Sequence, residues 1–263
     1  MVRSMVDDFG YIRNEVRLEY IASPFLPLVQ ASIYQIQQSV GPQLSGLYLY
    51  GSVGTGRAVA GRSDLDLLLV LLSEPDRSLR QTIDDAARRL EKRHPKVVRS
   101  VEIAITWLDQ VLTSTESLGY KVFIKHLCVC IAGDDLSPEL PRVPLSQEVC
   151  TALNGDAPEV LSSLWDRLDQ THDEHDRRRI GGAIARKILR TLMCVIAAET
   201  EDWATSRPDM AWYIMMSYPD LVPHVEFLLH VAEEQELALV GSIKLLQHIS
   251  AFTAAEAQRV LVV

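Results

Sequence analysis

The chain has 263 residues, 48% hydrophobic and 23% charged, a composition typical of soluble globular proteins. It contains 26 Lys and Arg and 35 Asp and Glu, which gives a formal net charge of −9. It therefore lacks the overall positive charge that non-specific nucleic-acid binding uses. No apolar stretch reaches the roughly 20 residues of a membrane helix, and the N-terminus has no secretory signal core. The four cysteines lack zinc-type CxxC spacing. We therefore expect a cytoplasmic protein with reduced thiols and with neither a nucleic-acid nor a membrane partner.

Alternation of apolar and polar residues predicts the first elements. Residues 24–40 are typical of an amphipathic helix that ends at Gly41-Pro42. Residues 44–52, LSGLYLYGS, predict a strand, and residues 63–73, SDLDLLLVLLS, predict a second one. The continuous apolar tail of the second strand indicates burial on both faces, in the centre of a sheet.

The next elements complete an α/β pattern. Residues 76–94 predict an amphipathic helix that Pro95 stops. A third strand is expected in residues 97–108, a helix in residues 116–127 and a short fourth strand in residues 128–133.

A polar stretch with three prolines, residues 134–146, marks a linker. Beyond it the apolar spacing is helical throughout. The sequence therefore predicts two domains, an α/β domain with a mixed sheet over residues 1–145 and an all-α domain over residues 146–263. Residues 1–23 have no assigned role.

The glycine-rich turn after the first strand is not a known nucleotide loop. Gly51 and Gly56 have the spacing of a P-loop, but Arg57 and Ala58 stand where Lys and Ser or Thr belong. The dinucleotide pattern G-x-G-x-x-G fails as well, since Val59 takes the place of the last glycine.

Two aspartates in the second strand offer a better interpretation. Asp64 and Asp66 are two residues apart, so on a strand they share a face, where two carboxylates repel each other unless a cation lies between them. A hard cation with oxygen ligands, Mg²⁺, fits that role. The backbone and hydroxyl of Gly51-Ser52 are placed to hold phosphate oxygens. Glu102, in the third strand, joins this face if the two strands pair, as a metal ligand or as a base.

These motifs resemble the nucleotidyltransferase superfamily of polymerase-β type. Gly51-Ser52, Asp64-x-Asp66 and the later acid in VEIAIT, together with a helical half that contains AAETEDWATSRPDMAWYI, are similar to aminoglycoside adenylyltransferases of the streptomycin/spectinomycin type. The likeness spans roughly residues 45–215. It implies an N-terminal nucleotidyltransferase domain, an active site between the domains, and transfer of AMP from the co-substrate ATP to a hydroxyl of a small molecule.

The resemblance also implies roles for single residues. Gly51 and Ser52 would contact the ATP triphosphate, Asp64 and Asp66 would bind two Mg²⁺ ions, and Glu102 would be the catalytic base beside them, with metal ligation as its other expected role. The family places a lysine of the helical domain on the triphosphate. This chain has Arg207 there, so Arg207 is the expected phosphate contact. Arg190, which shares a helix face with Arg186, is a second candidate for the phosphates, and an interdomain salt bridge is the alternative role for it.

The net negative charge suits a cationic acceptor. The resemblance implies antibiotic resistance as the biological role. Asp173, Glu174 and Asp176 are candidate acceptor-binding residues, although a solvated helix start explains the same residues, and His172 with His175 has spacing that also fits a metal. Two alternatives stay open: a nucleotidyltransferase of a toxin pair that modifies a protein, and a non-catalytic nucleotide sensor.

Overall fold

A computed structural model describes residues 4–114, 117–233 and 240–262. The chain divides into two compact units. One unit, Arg13–Arg142, contains the sheet, and the other combines the residues up to Ile12 with those from Val143 onward. Each unit has its own apolar core and is described by itself.

The first unit is built on a four-stranded mixed sheet. Its strands are β1 (Leu44–Tyr50), β2 (Leu65–Leu71), β3 (Val101–Trp107) and β4 (Val129–Gly133), in the order β3-β2-β1-β4. β1 is antiparallel to both β2 and β4, whereas β2 is parallel to β3. The central position of β2 explains its apolar run, because six of its seven residues are buried and the exception is Asp66.

Helices cover both faces of this sheet. They are α1 (Leu26–Val40), the single-turn α2 (Gly51–Gly54), α3 (Arg77–Arg93), α4 (Leu108–Leu112) and α5 (Ser117–Leu127). Leu65, Leu67 and Leu69 pack with apolar residues of α1 and α3 in one buried cluster. Leu68 and Val70 pack in a second cluster with residues of α4 and α5. Period-2 alternation therefore places Asp66 on the face that α4 and α5 cover.

The second unit is helical. Its helices are α6 (Gln147–Asn154), α7 (Ala157–Gln170), α8 (Glu174–Thr200), α9 (Arg207–Ser217), α10 (Val222–Ala232) and α11 (Val240–Val260). The long helix α8 is the centre of the unit, because its middle, from Ile188 to Ala197, is buried except for Arg190. In the described residues after Gly133 there is no strand.

The predicted fold class is confirmed: an α/β region with a mixed sheet precedes a helical region. The grouping of the first residues differs from the predicted division into 1–145 and 146–263, because the residues up to Ile12 belong with the helical unit. The backbone N–H of Met5 donates to the carbonyl of Trp203 (2.9 Å), and that of Leu145 donates to Gly10 (2.7 Å). These bonds tie the described residues before Arg13 to the helical unit. In the described ranges, no helix combines the length and apolar character required to cross a bilayer.

Candidate active site

The glycine turn begins where β1 ends. Gly51 has a φ of 73°, a conformation that favours glycine, and it starts the single turn of α2. The hydroxyl of Thr55 donates to the Gly51 carbonyl (3.0 Å), which fixes the turn from within. Ser52 is half-buried in this turn.

Asp66 and Glu102 lie side by side on neighbouring strands. β2 and β3 pair in parallel with Asp66 opposite Glu102, and β1 places Tyr50 opposite Asp66 on the other side. The pairing that Glu102 needed to join the aspartate's face is therefore present. Because β3 is an edge strand, Glu102 is exposed, whereas Asp66 is half-buried.

Asp64 has partners that the sequence did not indicate. It precedes the first residue of β2, and its carboxylate accepts hydrogen bonds from Arg99 Nε at Oδ1 (2.9 Å), from Arg99 Nη2 at Oδ2 and from Ser100 Oγ at Oδ1 (2.7 Å). The cation beside this carboxylate is thus a guanidinium of the chain itself. The argument from repulsion placed a metal ion between Asp64 and Asp66, and it did not identify Arg99 as a partner of Asp64.

The donor set fits a hard divalent cation, since all three candidate ligands are carboxylates and two of them are in register. Their ligand atoms are not gathered around one point. Among the described residues, the set of three potential ligands that lie within 4.8 Å of one another is Asp173, His175 and Asp176. The bonds between Arg99 and Asp64 give a physical reason for this, because they direct the Asp64 oxygens to Arg99 and Ser100.

The three acids proposed for the acceptor form local contacts at the start of α8. Asp173 is the N-cap and accepts from the backbone N–H of Asp176 (2.9 Å), and Asp176 pairs with Arg179 (3.5 Å). Glu174 pairs with Arg178 one turn further along. His175 belongs to this exposed group, and His172 lies outside the set of potential ligands. Capping and solvation account for the group, and a role in acceptor binding stays a prediction.

The two arginines expected at the triphosphate differ in their surroundings. Arg190 is exposed on α8. Arg207 is the first residue of α9, and its Nη1 donates to the Ala232 carbonyl (3.2 Å) at the end of α10. Arg186 of α8 donates to the same carbonyl (3.0 Å). Two guanidinium groups therefore converge at the C-terminus of α10, where the helix dipole favours cations.

The N-terminal segment contacts the glycine turn, a contact that no sequence motif indicated. The backbone N–H of Arg17 donates to the Gly54 carbonyl (2.9 Å), and Glu15 pairs with Arg57 (3.0 Å). A Cβ atom on Gly54 would overlap the side chain of Val16. The small residue at 54 is thus required because another segment packs on the turn, and residues 15–17 support the turn.

Comparison with known proteins adds one finding. No protein-family model matches the chain, and no curated protein matches it. Among solved structures, the chain is similar to the spectinomycin adenyltransferase AAD(9) from Enterococcus faecialis, which was crystallised with ATP and spectinomycin. The TM-score is 0.60 at 13% sequence identity, over 88% of this chain and 98% of that chain. At this identity the likeness is one of fold alone: the chain shares its overall fold with that adenyltransferase.

Proposed function

We propose that the protein is a nucleotidyltransferase that moves AMP from ATP to a hydroxyl of a small, cationic acceptor of the aminoglycoside kind. The observation that supports this proposal most is the register of Asp66 with Glu102, beside the strand that ends in the turn of Gly51 and Ser52. Two acids of different exposure then lie next to a turn that is suited to phosphate. The shared fold with an adenyltransferase agrees with it.

Asp64 and Asp66 would hold Mg²⁺, as two ions, with Glu102 next to them. When bound, these ions supply charge stabilisation at the α-phosphate and the leaving pyrophosphate. The backbone and hydroxyl of Gly51 and Ser52 would orient the triphosphate. Arg190 and Arg207 of the helical unit would contact the same phosphates, since a guanidinium binds phosphate oxygens in a bidentate manner.

Glu102 would be the general base. Its carboxylate accepts the proton of the acceptor hydroxyl while that oxygen bonds to the α-phosphorus. The bond between the α-phosphorus and the oxygen that leads to the β-phosphate breaks, and pyrophosphate leaves with that electron pair. The exposure of Glu102 on an edge strand leaves its carboxylate open to an acceptor. The three acids at the start of α8 would attract the cationic groups of the acceptor; they are Asp173, Glu174 and Asp176.

The test is release of pyrophosphate from each nucleoside triphosphate in the presence of a panel of aminoglycosides, together with the mass of each acceptor. We expect a mass increase of one AMP on one acceptor class with ATP, and no increase with Asp66→Asn. Labelled AMP on a protein band instead would identify a protein acceptor. ATP binding without transfer to any acceptor would favour a nucleotide sensor.

A further inference from the structure

Both oxygens of the Asp64 carboxylate are occupied by groups of the chain. Arg99 approaches with two nitrogens, Nε to Oδ1 (2.9 Å) and Nη2 to Oδ2, and Ser100 Oγ adds a bond to Oδ1 (2.7 Å). The pair is partly shielded, since the Asp64 side chain is 14% exposed and that of Arg99 is 26% exposed. A two-pronged, charge-assisted pair of this kind is stronger and geometrically more specific than an exposed ion pair.

The backbone fixes this arrangement. The N–H of Leu65 donates to the Ser100 carbonyl (3.0 Å), and the N–H of Arg99 donates to the Ser63 carbonyl (3.1 Å). The hydrogen bonding between β2 and β3 thus continues one step beyond the ends of both strands. This pairing brings together Arg99 and Asp64, which are 35 positions apart in the sequence. The ion pair therefore depends on the register of β2 with β3.

We infer that Arg99 is a positioning residue that competes with a divalent cation for Asp64. This inference rests on the proposed function, in which Asp64 is a metal ligand. Without metal, the guanidinium neutralises Asp64, relieves its repulsion with Asp66 and holds its oxygens in one orientation. A divalent cation binds through Asp64 only when at least one bond to Arg99 opens, so its apparent affinity is the intrinsic affinity multiplied by the fraction of molecules in which the pair is open.

The test measures binding of Mn²⁺ alone by electron paramagnetic resonance, without ATP or acceptor. The first variant, Arg99→Gln, removes both the charge and the pair of parallel hydrogen bonds to Asp64. The second, Arg99→Lys, keeps the charge but cannot donate two parallel hydrogen bonds to one carboxylate. Arg88→Gln is the matched control, because Arg88 forms an exposed pair with Asp85 in the same unit (2.6 Å). We expect tighter Mn²⁺ binding by roughly threefold to tenfold in Arg99→Gln, a smaller gain in Arg99→Lys and none in Arg88→Gln.

Two results would overturn the inference. Equal or weaker Mn²⁺ binding by Arg99→Gln would mean that Arg99 does not compete for Asp64. A gain in Arg99→Gln with none in Arg99→Lys would assign the effect to the general field of the charge. If Arg99→Gln does not fold, Arg99→Lys decides alone, because its affinity either exceeds that of the wild type or does not.

Asp66→Asn separates this inference from the proposed function. If the wild type binds Mn²⁺ and Asp66→Asn does not, the result supports the proposed metal site. An unchanged Mn²⁺ affinity in the Arg99 variants would then overturn only the competition between Arg99 and the cation. If no variant binds Mn²⁺ up to millimolar concentrations, the metal site and the competition both fall.

Discussion

The carboxylate of Asp66 lies directly against the backbone of Gly51. A Cβ atom on Gly51 would be 2.9 Å from Cγ of Asp66 and would overlap Oδ2. The residue that begins the glycine turn must therefore lack a side chain for two independent reasons, its φ of 73° and the closeness of this acid. The turn and the acid pack against each other, so a side chain at position 51 requires Asp66 to move.

Gly51→Ala tests this relationship. We expect it to lower the free energy of unfolding by about 1–2 kcal/mol for the left-handed backbone and by a further 1–3 kcal/mol for the overlap. Gly61→Ala is the matched control, because Gly61 has a φ of 75° and its nearest atom outside the adjacent residues would be 3.5 Å away. Thermal unfolding of both variants checks the difference. Equal losses would show that Asp66 moves aside without cost.

The sheet and its acids were predictable because they depend on local pattern. The apolar run of β2 identified a central strand, and the period of two placed Asp66 and Glu102 on definite faces. The pairing of Arg99 with Asp64 was not predictable, because it depends on the register of two segments that precede different strands. The contact of Arg17 with Gly54 is equally non-local. The pattern treated Asp64 and Asp66 alike as metal ligands, and it did not indicate the asymmetry that the guanidinium bonded to Asp64 creates between them.

This asymmetry predicts different stabilities for two variants that remove one charge each. Asp64→Asn leaves the partly buried guanidinium of Arg99 without its carboxylate and should cost about 1–2 kcal/mol. Asp66→Asn removes a repulsion and should cost less. Both should abolish AMP transfer. Thermal unfolding and pyrophosphate release on the same samples check this, and a larger stability loss in Asp66→Asn would contradict it.

The arginines of the helical unit are distinguished by titration with ATP. We expect Arg190→Ala to weaken ATP binding about tenfold without a change in melting temperature, because Arg190 is exposed. Arg207→Ala should weaken binding and also lower the melting temperature, since its bond to Ala232 is lost. Arg186→Ala is the control, because it loses a bond to the same carbonyl. If Arg186→Ala weakens ATP binding as much as Arg207→Ala, the effect is structural.

Tyr48 predicts how stability responds to alkaline pH. It is fully buried in β1, and burial raises the pKa of its phenol well above the ordinary value of 10.0. Its hydroxyl donates to the Asp134 carbonyl (3.2 Å) and accepts from the Leu136 N–H (2.7 Å). The unfolded chain loses this proton first, so the contribution of Tyr48 is complete below about pH 10 and is lost as pH rises towards the folded-state pKa.

Urea unfolding from pH 8 to 11 measures this loss. We expect Tyr48→Phe to reduce the steepness of the alkaline decline by up to about 1.4 kcal/mol per pH unit. Burial is also the chief cause that raises the pKa of Tyr218. Part of the alkaline decline should therefore remain in Tyr48→Phe, and adding Tyr218→Phe to that variant should remove this part. An unchanged slope in Tyr48→Phe would show that its phenol ionises alike in both states.

Glu102→Gln separates proton transfer from metal binding at the proposed centre. A general base acts in the chemical step, whereas a metal ligand also affects nucleotide binding. Since Asp64 and Asp66 would still hold the metal, Glu102→Gln should lower kcat by about 10²–10⁴-fold and leave the affinity for Mg-ATP nearly unchanged. Glu74→Gln, an exposed acid of the same unit, is the control. A large loss of Mg-ATP affinity would make Glu102 a metal ligand first, and unchanged turnover would remove it from the site, despite its register with Asp66.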